Sequence, residues 1–173
     1  RIVVSVAKGE YNYNVLYDKI KTCLRHDFAH VYKEIVSPTV FDLSDKSENT
    51  KDFMIGYDNI VETLKRINFD KKEEFKFLSM LYKCSYVERD ANISSFYQTL
   101  LNDASKIKNI KDISSYKEYY EYDDYKSIFD TDILNLFEKY KNDIQYMYSK
   151  NINTVDKFST IMKKHIDTVL NKM

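Results

Sequence analysis

The sequence predicts an all-α protein, an elongated up-down four-helix bundle built as a single domain over residues 1–173. Only two glycines and one proline occur in the chain, so the residues that β-hairpins need at their turns are nearly missing. Long segments instead repeat apolar residues with the period of an α-helix. Hydrophobic residues make up 43% of the chain, which is enough to form a core and argues against disorder.

The first predicted helix covers about residues 10–36. Its apolar positions share one stripe, about 120° wide at 100° per residue, and we expect this stripe to face the core. The stripe consists of Tyr13, Leu16, Tyr17, Ile20, Leu24, Phe28, Val31 and Ile35. Ser37 and Pro38 end the helix, because the residue before a proline is disfavoured in the α region.

The second and third helices are predicted at about residues 48–67 and 71–108. Apolar residues of the second helix follow a 4-3-4-3 spacing that suits bundle packing. They are Phe53, Tyr57, Ile60, Leu64 and Ile67. Gly56 lies within this helix and either allows a close helix crossing or is a tolerated weakness. An irregular, tyrosine-rich connection over residues 109–130, with one short helix near residues 114–122, should lead to the fourth helix.

The longest periodic pattern predicts the fourth helix at about residues 131–172. From Ile133 to Val169 the stripe positions recur on average every ~3.6 residues, the period of a straight α-helix. A kink or short interruption near residues 149–154 is the alternative, because the Asn and Thr residues there are poor helix formers and good caps.

Polar residues at predicted core positions are the most informative feature of the pattern. Asp27, Arg89 and Asn151 fall at similar heights on the first, third and fourth helices. We expect a buried polar layer in which Arg89 pairs with Asp27 and Asn151 lies nearby, since a charge in a core must be paired. Such a layer would weaken the bundle and leave it able to open. Alternatively, Asp27 and Arg89 lie at the edge of the stripe and reach solvent.

Residues capable of chemistry are few, and no catalytic or cofactor motif occurs. We therefore expect no enzyme, no cofactor and no small-molecule substrate. His26 and His30, four residues apart, can chelate a metal on one helix face with Cys23 nearby. Further ligands at a recognisable spacing are missing, so we expect no metal and favour a solvated helix face. His165 is interpreted as a core histidine with a satisfied ring.

The cysteines and the tyrosine-rich connection leave alternatives open. Cys23 and Cys84 can form a disulfide only if the first and third helices are neighbours, and free thiols are favoured. The tyrosines of the connection either form a partner surface or pack their rings over one end of the bundle. They are Tyr116, Tyr119, Tyr120, Tyr122 and Tyr125.

Composition also limits the class of partner. The formal net charge is zero, so the chain lacks the overall basic field that attracts nucleic acid. No apolar run approaches the ~20 residues that span a bilayer. The sequence begins with Arg1, and we expect it to be a processed or trimmed piece.

Lys-, Asn- and Tyr-rich helices, four long stripes and the polar core positions Asp27, Arg89 and Asn151 together suggest a family. In these features the chain resembles the small secreted helical proteins of malaria parasites, in particular the micronemal proteins of sporozoites that act in cell traversal. The resemblance implies a secreted, micronemal four-helix bundle that helps the parasite wound and cross host cells without catalysis. It transfers no individual site residue.

Two functional expectations follow. The first is a secreted, non-enzymatic bundle that aids traversal of host cells by contacting their membrane after the bundle opens. The alternative is a protein-binding module that engages a host or parasite partner through a helix face or the tyrosine-rich connection. A third class, an intracellular effector with a central apolar helix, is disfavoured because the fourth helix is amphipathic and terminal.

Overall fold

The computed structural model describes residues 12–36, 48–68 and 70–173, and every regular element in these ranges is a helix. The all-α prediction is therefore confirmed, and the helices pack as a bundle. The end of the first helix, predicted at Ser37 and Pro38, lies outside the described residues. The elements are α1 Tyr13–Val36, α2 Glu48–Arg66, α3 Lys72–Cys84, α4 Tyr86–Asn102, α5 Ile110–Ile113, α6 Lys117–Asp124, a 3-10 helix Tyr125–Asp130, α7 Leu134–Met147 and α8 Val155–Lys172.

The core forms where α3 and α8 pack against each other. α7 and the 3-10 helix pack around this pair. The Phe158 ring on α8 is fully buried and lies 5.6 Å from the ring of Phe77 and 5.4 Å from that of Phe137, measured between centroids. Leu78, Met162 and other large side chains with no exposed surface surround these rings. Burying one such side chain contributes about 1.5–3 kcal/mol, so this cluster is the main source of stability.

A close crossing brings α2 onto α7. A Cβ atom added to Gly56 would lie 2.7 Å from the carbonyl oxygen of Asp143 and 2.9 Å from Cβ of Tyr146, both on α7. Only glycine therefore allows this approach, and the interpretation of Gly56 as a close-contact position is supported. One turn away, Asn59 donates a hydrogen bond of 2.8 Å to Asp143.

The third predicted helix is divided at Ser85. This residue has an extended conformation, with ψ near 151°, and its side chain accepts a hydrogen bond from the backbone N–H of Glu88. Ser85 therefore ends α3 and caps α4, as a serine followed three residues later by a glutamate often does. The prediction of one continuous helix over 71–108 was wrong, because a capping serine outweighs the periodic pattern that runs through it.

The fourth predicted helix is also divided, at the position given as the alternative. α7 ends at Met147, and α8 begins at Val155 with Thr154 as its cap, whose side chain accepts from the backbone N–H of Lys157. In the turn between the two helices, Ile152 is buried, and the Gln145 side chain donates a hydrogen bond of 2.9 Å to its carbonyl oxygen. An interruption, rather than one continuous helix, therefore lets α7 and α8 pack on the same core.

The connection over 109–130 contains the short helix predicted near residues 114–122, as α6, but the rest of it is mostly helical too, so its prediction as an otherwise irregular segment was wrong. α5, α6 and the 3-10 helix occupy most of it. Tyr122 and Tyr125 are buried, and Tyr122 donates 3.0 Å to the carbonyl oxygen of Lys83. Aromatic burial therefore fixes a segment whose polar composition pointed to a loop.

Candidate functional site at the contact between α1 and α4

The predicted polar layer of Asp27, Arg89 and Asn151 is not formed. The Asp27 side chain is 60% exposed, and Asn151 is exposed in the turn before α8. Arg89 pairs with its chain neighbour Asp90, its Nε atom lying 3.2 Å from Oδ1. The residues directly beside Asp27 and Arg89 in the sequence, His26 and Glu88, meet instead.

Glu88 is the charged residue that this contact buries. It lies in the first turn of α4 and is 3% exposed. The Tyr57 hydroxyl of α2 donates a hydrogen bond of 2.5 Å to its Oε1 atom. Its Oε2 atom is also buried but has no hydrogen-bond partner. The Tyr57 hydroxyl of α2 thus satisfies Oε1, whereas Oε2 points away from Tyr57 and accepts no hydrogen bond.

Two histidines of α1 lie over that second oxygen. The Nε2 atoms of His26 and His30 are 3.5 and 3.7 Å from Oε2 of Glu88. The two imidazole rings meet edge to face, with centroids 4.7 Å apart. On its other side, Nδ1 of His26 lies 3.5 Å from Oδ1 of Asp27. Residues four apart share a helix face, and this spacing places both rings above one carboxylate.

The electrostatics of the cluster keep Glu88 ionised. Burial by itself raises the pKa of this carboxyl, but its interactions with His26, His30 and Tyr57 outweigh burial and hold the pKa well below its usual range. The contact with Glu88 in turn raises the pKa of His26 against the effect of burial, and Asp27 contributes in the same direction. The cluster is therefore a buried anion facing two titratable nitrogens. It can hold a proton or a cation between α1 and α4.

His26, His30 and Glu88 each offer one ligand atom, and these three atoms lie within 4.8 Å of one another. The sequence indicated the histidine pair with Cys23 nearby and favoured a solvated helix face, whereas both histidines are half-buried over Glu88 of α4. Glu88 was missed because it lies beside the predicted stripe of the third helix rather than on it. The available signal was the sequence Ser85-Tyr86-Val87-Glu88, which marks a helix start.

The rest of the contact between α1 and α4 is also polar. Nε of Arg25 donates a hydrogen bond of 3.2 Å to the Ser94 hydroxyl, and Asn102 donates one of 3.3 Å to the Asp18 carbonyl oxygen. These pairs, with His26 over Glu88, show that α1 runs antiparallel to α4. α1 thus turns its polar face toward the protein.

Part of the apolar stripe of α1 consequently faces outward, opposite to its prediction as a core face, whereas Leu16, Ile20 and Leu24 of the same stripe are half-buried. Tyr13 is 77% exposed, Phe28 57% and Tyr32 67%, and Tyr17 and Val31 are exposed as well. At 100° per residue these five positions lie within an arc of about 100°. We call them the α1 stripe. Large apolar side chains gathered on one face typically mark an interaction surface.

The predicted partner tyrosines are divided between core and surface. Tyr122 and Tyr125 are buried, Tyr116 and Tyr119 are half-buried, and Tyr120 is 58% exposed. The structure thus favours ring packing for part of the segment and leaves Tyr120 as its most exposed tyrosine.

Cys23, Cys84 and His165 complete the sequence-derived candidates. Cys84 is buried, whereas Cys23 is exposed, and both are free thiols. Burial raises the pKa of the Cys84 thiol to about 12, which makes it a poor nucleophile. His165 is half-buried against the Tyr148 ring, and burial lowers its pKa.

Among the helices that the structure describes, none combines the length and the apolar character that crossing a bilayer requires. Comparison of the chain with protein-family models, with curated proteins and with solved structures gave no match.

Proposed function

We propose that the protein is a secreted, non-enzymatic helical bundle that aids traversal of host cells, with the α1 stripe as the surface that contacts the membrane. The single observation that carries the membrane role is the outward orientation of this stripe on a helix whose polar face is packed on the protein. The resemblance in composition to sporozoite micronemal proteins supports the biological setting.

The side chains of the α1 stripe suit a membrane interface. Tyrosine rings combine an apolar body with a hydroxyl that remains hydrated, and they favour the level of the lipid headgroups. The Lys21 ammonium lies 4.7 Å from the centroid of the Tyr17 ring, at the edge of the stripe. A cation beside an aromatic face is the arrangement expected for an amphipathic helix lying on anionic lipid.

Contact with a membrane does not require the whole bundle to open. The α1 stripe already faces outward, whereas Phe77 and Phe158 of the core stay fully buried. The opening considered from the sequence is then a release of α1 from α4. That step would break polar contacts while leaving the aromatic core intact.

The test is flotation of the purified 173-residue protein with liposomes, combined with dye release, at pH 7 and pH 5. Vesicles of phosphatidylcholine alone and with phosphatidylserine separate apolar from electrostatic binding. We expect flotation with vesicles that contain phosphatidylserine, and its loss in the double variant Phe28→Ser, Val31→Ser. The control variant Ile55→Ser, Leu134→Ser removes exposed apolar side chains of α2 and α7 and should float like the parent protein.

Absence of flotation under all conditions would contradict the membrane role. The alternative, a protein-binding module, would instead give saturable binding of a host or parasite protein without any effect of lipid. If a second copy of the chain covers the stripe, sedimentation will show a concentration-dependent dimer that the Phe28→Ser, Val31→Ser variant lacks. Replacing the exposed Tyr120 separates binding through the tyrosine-rich segment from binding through α1.

A further inference from the structure

We infer that His26, His30 and Glu88 form a binding site for a divalent transition-metal ion of the zinc class, which joins α1 to α4. The inference is independent of the proposed membrane role. It is carried by the buried Oε2 atom of Glu88, which has no hydrogen-bond partner although two imidazole nitrogens lie beside it. A buried carboxylate oxygen is rarely left in this state, and a cation held between these three atoms would satisfy it.

The separations between the Glu88 oxygen and the two histidine nitrogens are close to those of a metal site, and all three ligand atoms lie within 4.8 Å of one another. Zinc binds nitrogen and oxygen ligands at about 2.0–2.2 Å in a tetrahedral arrangement, which places neighbouring ligand atoms about 3.3–3.6 Å apart. Oε2 of Glu88 lies 3.5 Å from Nε2 of His26 and 3.7 Å from Nε2 of His30. Small rotations of the two half-buried imidazoles would complete the geometry, because neither ring is fixed by close packing on all sides.

Groups behind the ligands orient them as metal sites require. The Tyr57 hydroxyl holds Oε1 of Glu88 and so directs Oε2 toward the histidines. Oδ1 of Asp27 lies 3.5 Å from Nδ1 of His26, where it can accept a hydrogen bond from a protonated Nδ1 and leave Nε2 free for the metal. A carboxylate behind a ligating histidine is the usual support of such a ligand.

The ligand set also indicates which metal binds. Two imidazoles and one carboxylate suit zinc and neighbouring first-row ions, whereas calcium and magnesium prefer sites made of oxygen atoms. Three protein ligands leave a fourth position for water or an external group. Because two ligands belong to α1 and one to α4, the ion would cross-link these helices at the centre of their polar contact.

The first test is titration of the purified protein with Zn²⁺ and, for spectroscopy, with Co²⁺ at pH 7.5. We expect one ion per chain and visible Co²⁺ bands of a four- or five-coordinate site without the near-ultraviolet absorption of a Co²⁺–thiolate bond. His26→Gln and His30→Gln should each abolish uptake. Both side chains lie at the surface edge of the site, so these variants should stay folded, as far-ultraviolet circular dichroism will verify.

Matched variants distinguish this site from other ligands of the chain. His165→Gln removes a histidine outside the cluster, and Cys23→Ser removes an exposed thiol near His26; both should bind Zn²⁺ like the parent protein. Asp27→Asn should weaken binding about 10–100-fold, the usual effect of losing the group behind a ligating histidine. No uptake by the parent protein, or uptake that survives in both His26→Gln and His30→Gln, would overturn the inference.

Discussion

The carboxylate of Glu88 lies in the first turn of α4, and its two oxygen atoms have different surroundings. Oε1 accepts the hydrogen bond of Tyr57, while Oε2 faces the imidazoles of α1. A negative charge at this end of a helix is favoured by the helix dipole, which reduces the free-energy cost of burying it. The strength of the link between α1 and α4 therefore depends on which of the facing nitrogens carry protons.

The pH dependence of stability follows from two pKa shifts of opposite direction. The pKa of His26 is raised above 6.5 in the folded protein, so its stabilisation is complete below pH 6.5 and is lost as the pH rises through the folded pKa. The pKa of Glu88 is lowered below 4.5, so its stabilisation is complete above pH 4.5 and is lost as the pH falls through the folded pKa. In the metal-free protein, the cluster should therefore stabilise the fold most between pH 4.5 and pH 6.5.

The parent protein should have a higher free energy of unfolding than His26→Gln at pH 6, and we expect this difference to decrease as the pH is raised to 8. Urea unfolding across this range measures it. His165→Gln is the control, because burial lowers the pKa of His165 and the difference from the parent protein should change in the opposite direction. A pH-independent difference between the parent protein and His26→Gln would contradict the assignment of His26 to the charge cluster.

At the scale of elements, the crossing of α2 over α7 gives the clearest packing prediction. Gly56→Ala improves intrinsic helix propensity by about 1 kcal/mol, but it places a Cβ atom 2.7 Å from the Asp143 carbonyl oxygen, which is backbone and cannot turn away. α7 must then shift, and overpacking of this kind costs about 1–3 kcal/mol. We expect a net loss of stability in urea unfolding, whereas Asp58→Ala on the exposed side of α2 should be neutral or slightly stabilising. Equal effects of both substitutions would mean that the crossing adjusts without strain.

How well the sequence predicts these elements depends on whether a pattern over many residues or a single side chain decides the structure. Most stripe positions of α7 and α8 are buried as expected, and the α2 stripe faces the core with Phe53 and Ile60 buried and its other members half-buried, because helical period and burial agree there. The division at Ser85 went unnoticed because Leu78, Tyr82 and Arg89 continue one periodic stripe through a local cap. Periodicity reports which residues share a face, whereas a cap is decided by a single side chain.

The candidate site was harder to predict, because it depends on how two helices are rotated about their axes. A one-residue step turns a helix position by 100°, so the polar contact expected from Asp27 and Arg89 is made by their neighbours His26 and Glu88. The pattern on α1 likewise gave the width of its apolar stripe but not the direction in which the stripe faces. That direction is set by Asn102, Ser94 and Glu88 of α4, which offer polar partners to α1.

At the scale of the whole molecule, the helices are held by two different kinds of contact. α3, α7 and α8 share a core of fully buried aromatic and aliphatic side chains, whereas residues 12–32 of the described chain include no fully buried side chain and make their hydrogen bonds to the rest of the protein along α4. Apolar burial contributes about 25 cal/mol per Å², while a hydrogen bond near the surface contributes on average only about 1 kcal/mol. The free energy that holds α1 in place should therefore be much smaller than that of global unfolding.

Native-state hydrogen exchange followed by mass spectrometry tests this difference in one experiment. We expect amides of α1 to exchange through a local opening that leaves α3 and α8 protected, because releasing α1 exposes little of the aromatic core. The amides of α8 serve as the internal reference, since Phe158, Met162, Ile166 and Val169 have no exposed surface and should open only with the whole domain. If α1 is protected as strongly as α8, its polar contacts are as stable as the core and release of α1 cannot precede unfolding. Faster exchange in α1 alone would instead show that the contact between α1 and α4 opens before the core does.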